Sequence, residues 1–125
     1  MLDLIIKNGS CYIDKDLKDQ DIAVKDGKII KIGKIDSEAK ETFDAKGLTV
    51  LPGCIDTQTH FREPGSTDTE DLHSGSRAAI VGGITSVFEM PNTNPPTSTK
   101  IEFQKKLDLA KNRMYCNYAF YFGAT

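Results

Sequence analysis

The sequence is poor in cysteine, and the few cysteines it has do not form a pattern. Cys11, Cys54 and Cys116 are far apart and odd in number among 125 residues. This argues against a disulfide framework and against a zinc site built from cysteines. We expect three reduced thiols buried in the core.

The sequence also lacks runs of basic residues and long apolar stretches. Its 16 Lys and Arg residues and 18 Asp and Glu residues leave a net charge of −2, which does not favour binding to nucleic acid or to an anionic membrane. No stretch approaches the ~18 apolar residues of a membrane span, and the N-terminus, with Asp3 and a short apolar run, does not resemble a signal peptide. We expect a cytoplasmic protein.

Residues 1–52 have the pattern of short strands joined by tight turns. Asp26-Gly27 links two partly alternating runs, and this dipeptide is the strongest short-range hairpin signal because a type I′ turn needs positive φ at both positions. Asn8-Gly9 and Lys46-Gly47 indicate further turns. The pattern predicts a small antiparallel β unit.

Residues 53–125 alternate strands with helices. Apolar strands are predicted from residue 54, over 84–90 and over 115–122. Helices are predicted over 69–81, capped by Thr67 or Thr69, and from Ser98 or Thr99 to about Asn112. The order β-α-β-α-β implies a parallel sheet. A complete (β/α)₈ barrel takes about 250 residues, so a barrel enzyme with this sequence would be represented by a fragment.

A polar cluster follows the first of these strands. Asp56, Gln58, His60 and Arg62 alternate along the chain, so an extended backbone would point their side chains the same way. A carboxylate, an amide, an imidazole and a guanidinium are costly to bury together unless a ligand satisfies them. The alternative is a polar strand end with a solvated Arg62 and a hydrogen-bonded His60.

A second cluster, Met-Pro-Asn-Thr-Asn-Pro-Pro at residues 90–96, follows the next strand. Asn and Pro form turns in many proteins. Its position at the same end of a parallel sheet suggests a site in which Asn92 donates an amide hydrogen bond to a ligand held by Arg62.

These stretches resemble the amidohydrolase superfamily, and its dihydroorotase branch in particular. That branch has Asp-x-His-x-His followed by Phe/Leu-Arg-Glu-Pro-Gly, and Met-Pro-Asn-Thr-x-Pro-Pro after the second strand. Residues 56–65 and 90–96 match these motifs. Residues 4–9 and 74–85 also resemble the corresponding stretches of this branch. The resemblance implies an α/β fold with the first three strands of a (β/α)₈ TIM barrel (53–125), preceded by part of a small β-sandwich (1–52).

The resemblance also implies a function. Dihydroorotases interconvert dihydroorotate and carbamoyl aspartate in pyrimidine biosynthesis, using one or two zinc ions. By position, His60 would bind metal, and Asp56 would contact the metal ligands rather than the metal. Arg62 and Asn92 would bind the substrate carboxylate. The general acid and base lie on later strands in the family, so no residue here is assigned that role. The expected partner is a small cyclic amide, with a possible homo-oligomer.

Gln58 departs from the family pattern, which has histidine at this position. A neutral amide oxygen is a poor zinc ligand beside imidazole. Two alternatives to an active dihydroorotase therefore remain: a non-catalytic homologue that acts as an assembly partner, and an allantoinase- or hydantoinase-type hydrolase of another cyclic amide. We interpret His73 as a helix residue and not as a metal ligand. The acidic residues are interpreted as charges at the helix start, again not as metal ligands: Asp68, Glu70 and Asp71.

Overall fold

The structure, a computed structural model, describes residues 1–124 and has two compact units that meet in sequence between Pro52 and Gly53. No helix within the described residues combines the length and apolar character needed to cross a membrane. The strands of the first unit are β1 (Leu2–Ile13), β2 (Asp16–Lys25), β3 (Lys28–Gly33), β4 (Ala39–Asp44) and β5 (Thr49–Val50). The elements of the second unit are β6 (Cys54–Thr59), α1 (Leu72–Val81), β7 (Ile84–Glu89), α2 (Lys100–Ala110) and β8 (Asn117–Phe120).

The first unit is a mixed sheet rather than an antiparallel one. Strands lie in the order β3-β2-β1-β4, and β5 also pairs with β1. The β1–β2 and β2–β3 pairs are antiparallel, but β4 and β5 run parallel to β1. The antiparallel prediction was therefore wrong for β4 and β5. After β3 the chain crosses to the other side of β1, and local alternation of polar and apolar residues does not encode such a crossing.

The turn signals in this unit had different outcomes. Asp26-Gly27 forms the predicted hairpin turn, with φ of +51° and +71°. Asn8-Gly9 does not reverse the chain but lies inside β1, where Asn8 has φ +61° and the pairing register with β2 shifts between Ile6 and Gly9. Asn and Gly tolerate positive φ in a bulge as readily as in a turn, which explains the error.

The second unit contains a three-stranded parallel sheet in the order β6-β7-β8, with α1 and α2 as the intervening helices. This confirms the predicted β-α-β-α-β order and parallel pairing. Because the carboxyl ends of parallel strands lie at one edge of a sheet, the segments after β6 and β7 are brought together there.

The helix starts follow from local hydrogen bonding. Thr99 caps α2, as predicted, and accepts a hydrogen bond from the Glu102 backbone N–H. The prediction that Thr67 or Thr69 caps α1 was wrong, because the cap is Asp71, whose carboxylate accepts from the Ser74 N–H at 2.6 Å while the Ser74 hydroxyl engages the Asp71 backbone. This reciprocal capping box satisfies two backbone donors of the first turn.

The core of the second unit lies between the sheet and its helices. It contains Phe61, Leu72, Val87, Ala110 and Cys116. Cys11 is also buried, in the first unit, but Cys54 is exposed at the start of the edge strand β6, so the expectation of three buried thiols was wrong for Cys54.

Candidate active site

His60 and Asn92 meet at the carboxyl edge of the parallel sheet. His60 directly follows β6, and Asn92 lies three residues beyond the end of β7. The His60 Nδ1 and Asn92 Oδ1 atoms are 2.8 Å apart. An amide oxygen can only accept, so in this arrangement Nδ1 carries the hydrogen and donates it. The lone pair of His60 Nε2 and the amide hydrogens of Asn92 are then available for other partners.

Arg62 reaches the same region by a different route from the one expected. Strand β6 ends at Thr59 and Arg62 has φ +61°, so the predicted extended alternation does not continue to Arg62. A turn closed by the Ser66 N–H donating to the Arg62 carbonyl at 3.0 Å replaces it. Arg62 and Asn92 line one cavity of about 130 Å³, together with Pro64, Ser66, Thr93 and Asn94.

The two loops that form this cavity lie directly against each other. The Asn94 backbone N–H donates to the Pro64 carbonyl at 2.9 Å. Gly65 has φ +121°, and a Cβ there would lie 2.9 Å from Asn94 Cβ. Only glycine permits both this backbone conformation and this approach.

Asp56 and Gln58 occupy the strand that leads to His60. The Asp56 carboxylate is half-buried and accepts a hydrogen bond from the Gln58 backbone N–H at 2.9 Å, while the Gln58 side chain is exposed. Asp56 thus orders the backbone of β6. Among the described residues, no three His, Cys, Asp or Glu side chains lie close enough together to hold a metal ion.

The donor set fits a metal centre only in part. His60 fits the role of a ligand, because metal-bound histidines usually donate one ring N–H to a fixed oxygen and bind through the other nitrogen. Gln58 fits poorly, since its only donor is a neutral oxygen. A tetrahedral zinc shell would therefore need ligands beyond those supplied by residues 1–124.

A buried carboxylate anchors the turn that carries Arg62, and sequence reasoning missed it. Glu63 is only 7% exposed. Its two oxygens accept from both terminal nitrogens of Arg113, at 2.8 and 3.1 Å, and one also accepts from the Leu72 N–H at 2.8 Å. The hydrogen bond to Glu63 raises the pKa of the Arg113 guanidinium. Glu63 thereby ties the Arg62 turn to the start of α1 and to the segment after α2.

A fully buried ion pair, which sequence reasoning also missed, lies beneath the carboxyl edge of the sheet. Glu89, the last residue of β7, forms an ion pair with Lys106 of α2, and both side chains are fully buried. Burial raises the pKa of the Glu89 carboxyl, and the hydrogen bond from Lys106 opposes this shift. The sequence carried one signal: Lys106 lies three residues after Phe103 and four before Ala110, a spacing that places it on the apolar face of α2.

The other candidate residues lie away from this edge or act as caps. His73 is exposed on α1, and its ring packs 5.0 Å from that of Tyr115. Asp71 caps α1, and the Ser74 N–H lowers the pKa of its carboxyl.

Comparison with known proteins supports one family. Residues 49–125 match the model of the amidohydrolase family. The chain is 46% identical over 113 residues to an allantoinase of Escherichia coli O1:K1, covering 90% of this chain and 25% of that protein.

Two solved structures have the same fold over nearly the whole chain. An L-hydantoinase (dihydropyrimidinase) from Arthrobacter aurescens has a TM-score of 0.89 and 37% identity, covering 98% of this chain and 28% of its own. A D-hydantoinase from Thermus sp. has a TM-score of 0.81 and 29% identity, and the match covers 97% of this chain and 27% of the D-hydantoinase chain.

The chain thus spans about a quarter of the length of the relatives that it matches. The family match covers most of the chain and includes the segments that bring His60, Arg62 and Asn92 together. This chain belongs to the amidohydrolase family.

Proposed function

We propose that the complete protein carrying this sequence hydrolyses a cyclic amide that bears a carboxylate, with dihydroorotate as the first candidate. The observation that carries the proposal is the cavity shared by Arg62 and Asn92 beside His60. A guanidinium offers two parallel N–H donors that match a carboxylate, and the free amide hydrogens of Asn92 add a further donor.

His60 would hold a metal ion through Nε2, while its Nδ1–H stays bonded to Asn92. When bound, the metal lowers the pKa of a coordinated water and polarises the amide carbonyl. The residues of this chain would bind and orient the ring. Proton transfer would rely on groups outside this chain. In the proposed architecture, residues 53–125 form the first segment of a (β/α)₈ barrel, and residues 1–52 form part of a β-sandwich.

A second candidate is ring opening of allantoin or hydantoin. It is favoured by the names of the relatives, an allantoinase at 46% identity and an L-hydantoinase with a TM-score of 0.89. Neither of these rings carries a carboxylate. Arg62 would then have no anionic group of the substrate to bind.

The test compares substrates that differ in this one group. The complete protein, loaded with zinc, is assayed with dihydroorotate, with dihydrouracil, which is the same ring without the carboxylate, and with allantoin and hydantoin. We expect dihydroorotate to be preferred over dihydrouracil, and Arg62→Gln to lower kcat/KM for dihydroorotate on the order of a hundredfold while changing that for dihydrouracil little.

Turnover of allantoin or hydantoin but not dihydroorotate would support the second candidate. If the zinc-loaded protein opens none of the four rings, the non-catalytic assembly role expected from Gln58 becomes the better interpretation.

A further inference from the structure

The buried ion pair between Glu89 and Lys106 lies beneath both loops of the candidate site. Glu89 is 1% exposed and Lys106 is 0% exposed. A buried ion pair is weak evidence for stability, because desolvation of two charges offsets most of their attraction. The contacts of this pair point to another role.

Each partner of the pair also binds one backbone segment of the site. Glu89 Oε1 accepts from the Phe61 N–H at 3.0 Å, and Phe61 directly follows His60. Lys106 Nζ donates to the Met90 carbonyl at 3.0 Å, two residues before Asn92. The ion pair therefore links the two backbone segments whose side chains meet in the His60–Asn92 hydrogen bond.

The pair is fixed from the third strand as well. Lys106 Nζ lies 5.0 Å from the centroid of the Phe120 ring on β8, within range of a cation–π attraction. The Tyr121 N–H donates to the Glu89 carbonyl at 3.0 Å. Strands β7 and β8, helix α2 and the segment after β6 thus converge on one pair of charges.

We propose that Glu89 and Lys106 are positioning residues that hold His60 and Asn92 at hydrogen-bond distance. Neither lines the cavity shared by Arg62 and Asn92, and they act through the backbones of Phe61 and Met90. The proposal deepens the proposed function and rests on it for its catalytic consequence, but its structural consequence is measurable without any substrate.

A double variant separates positioning from stability. Removing one charge would leave the other buried and unpaired, which destabilises a protein strongly, whereas replacing both charges together is often close to neutral. In Glu89→Gln/Lys106→Met, the glutamine keeps an acceptor for the Phe61 N–H, but the methionine cannot donate to the Met90 carbonyl. The matched control is Glu102→Gln/Lys105→Met, which makes the same exchange in the Glu102–Lys105 ion pair. Both of these residues lie on α2, and Lys105 is exposed.

The experiment measures melting temperature, hydrogen exchange and turnover of the zinc-loaded complete protein. For the buried double variant we expect a melting temperature close to that of wild type, faster amide exchange at residues 92–94, and a kcat on dihydroorotate lower by roughly 10–100-fold. The control should match wild type in all three. A stable buried variant with wild-type exchange and turnover would show that the pair is merely structural and overturn the proposal.

Two unfavourable results remain distinguishable. If wild type opens no cyclic amide, the proposed function fails while the exchange data still test positioning. If the buried variant does not fold, hydrogen exchange of the wild-type protein tests the proposal. The Phe61 amide lies outside any strand, but it should exchange as slowly as the amides of β7. Exchange as fast as that of exposed loop amides would contradict the proposal.

Discussion

At the scale of single residues, Gln58 separates this chain from the motif it resembles. The Gln58 side chain is exposed near the end of β6, two residues before His60. One neutral oxygen stands where the family pattern has an imidazole nitrogen, so a metal ion bound at this position would lose a strong donor.

We therefore expect Gln58→His to raise zinc occupancy of the complete protein, measured by metal analysis after dialysis. Changes to residues that support a metal ligand lower metal affinity roughly 10–100-fold, and loss of the ligand itself should lower it at least as much. Thr57→His is the matched control, because it adds an imidazole at an equally exposed position of β6 that is not a histidine position of the family motif. If wild type retains as much zinc as Gln58→His, Gln58 is not a defect and another residue supplies the ligand.

At the scale of elements, the packing of α1 against the site depends on one glycine. Gly75 is buried on α1, and a Cβ there would lie 2.4 Å from Cδ1 of Phe61. Gly75 thus lets the helix approach the ring that directly follows His60. This close approach links helix packing to the geometry of the site.

Gly75→Ala should lower the free energy of unfolding by about 1–3 kcal/mol, because an overpacked core forces side chains and backbone to shift. Denaturant unfolding of the complete protein measures the change. Gly82→Ala is the control, since its Cβ would find only ordinary contacts at 3.5 Å and its φ of −83° suits any residue. Equal stability of the two variants would contradict the packing argument.

The cap of α1 predicts a pH dependence of stability. The Ser74 N–H and hydroxyl lower the pKa of Asp71 in the folded state. A lowered carboxyl pKa contributes stability above the unfolded value of about 3.9, and this contribution is lost as pH falls through the folded value.

Asp71→Asn keeps a capping oxygen but does not titrate. The melting temperature of wild type should exceed that of Asp71→Asn most above about pH 4, and the difference should shrink as the pH falls below that value. A difference that is constant between about pH 2 and pH 6 would show that the Asp71 charge adds nothing to the cap.

At the scale of the whole molecule, the parallel sheet has one covered and one uncovered face within the described residues. Val87 is buried with Leu72 and Ala110 of the helices. Ile55, in register with Ser86, and Phe88 lie on the opposite face, where they are 61% and 38% exposed. Both β6 and β8 are edge strands of this sheet.

Residues 1–125 expressed alone should therefore associate or aggregate, because exposed apolar surface and unpaired strand edges favour contact between chains. Light scattering after size-exclusion chromatography measures this. A monomer with a sharp cooperative melt would show that the chain is stable without further cover.

Several features were determined by the sequence itself because their causes are local. The Asp26-Gly27 hairpin, the Thr99 cap and the alternation of helices with strands each depend on residues close together in the chain. The meeting of His60 and Asn92 also followed from sequence, since parallel strands bring their carboxyl ends to one edge.

Tertiary structure alone decided the features that depend on residues far apart in the chain. The parallel pairing of β4 with β1, the turn at Arg62 anchored by the Glu63–Arg113 pair, and the burial of Lys106 against Glu89 had no local signal strong enough to predict them. The physical reason is that a strand crossing or a buried charge is stable only when its partner is already in place, and those partners lie between 17 and 50 positions away in the sequence.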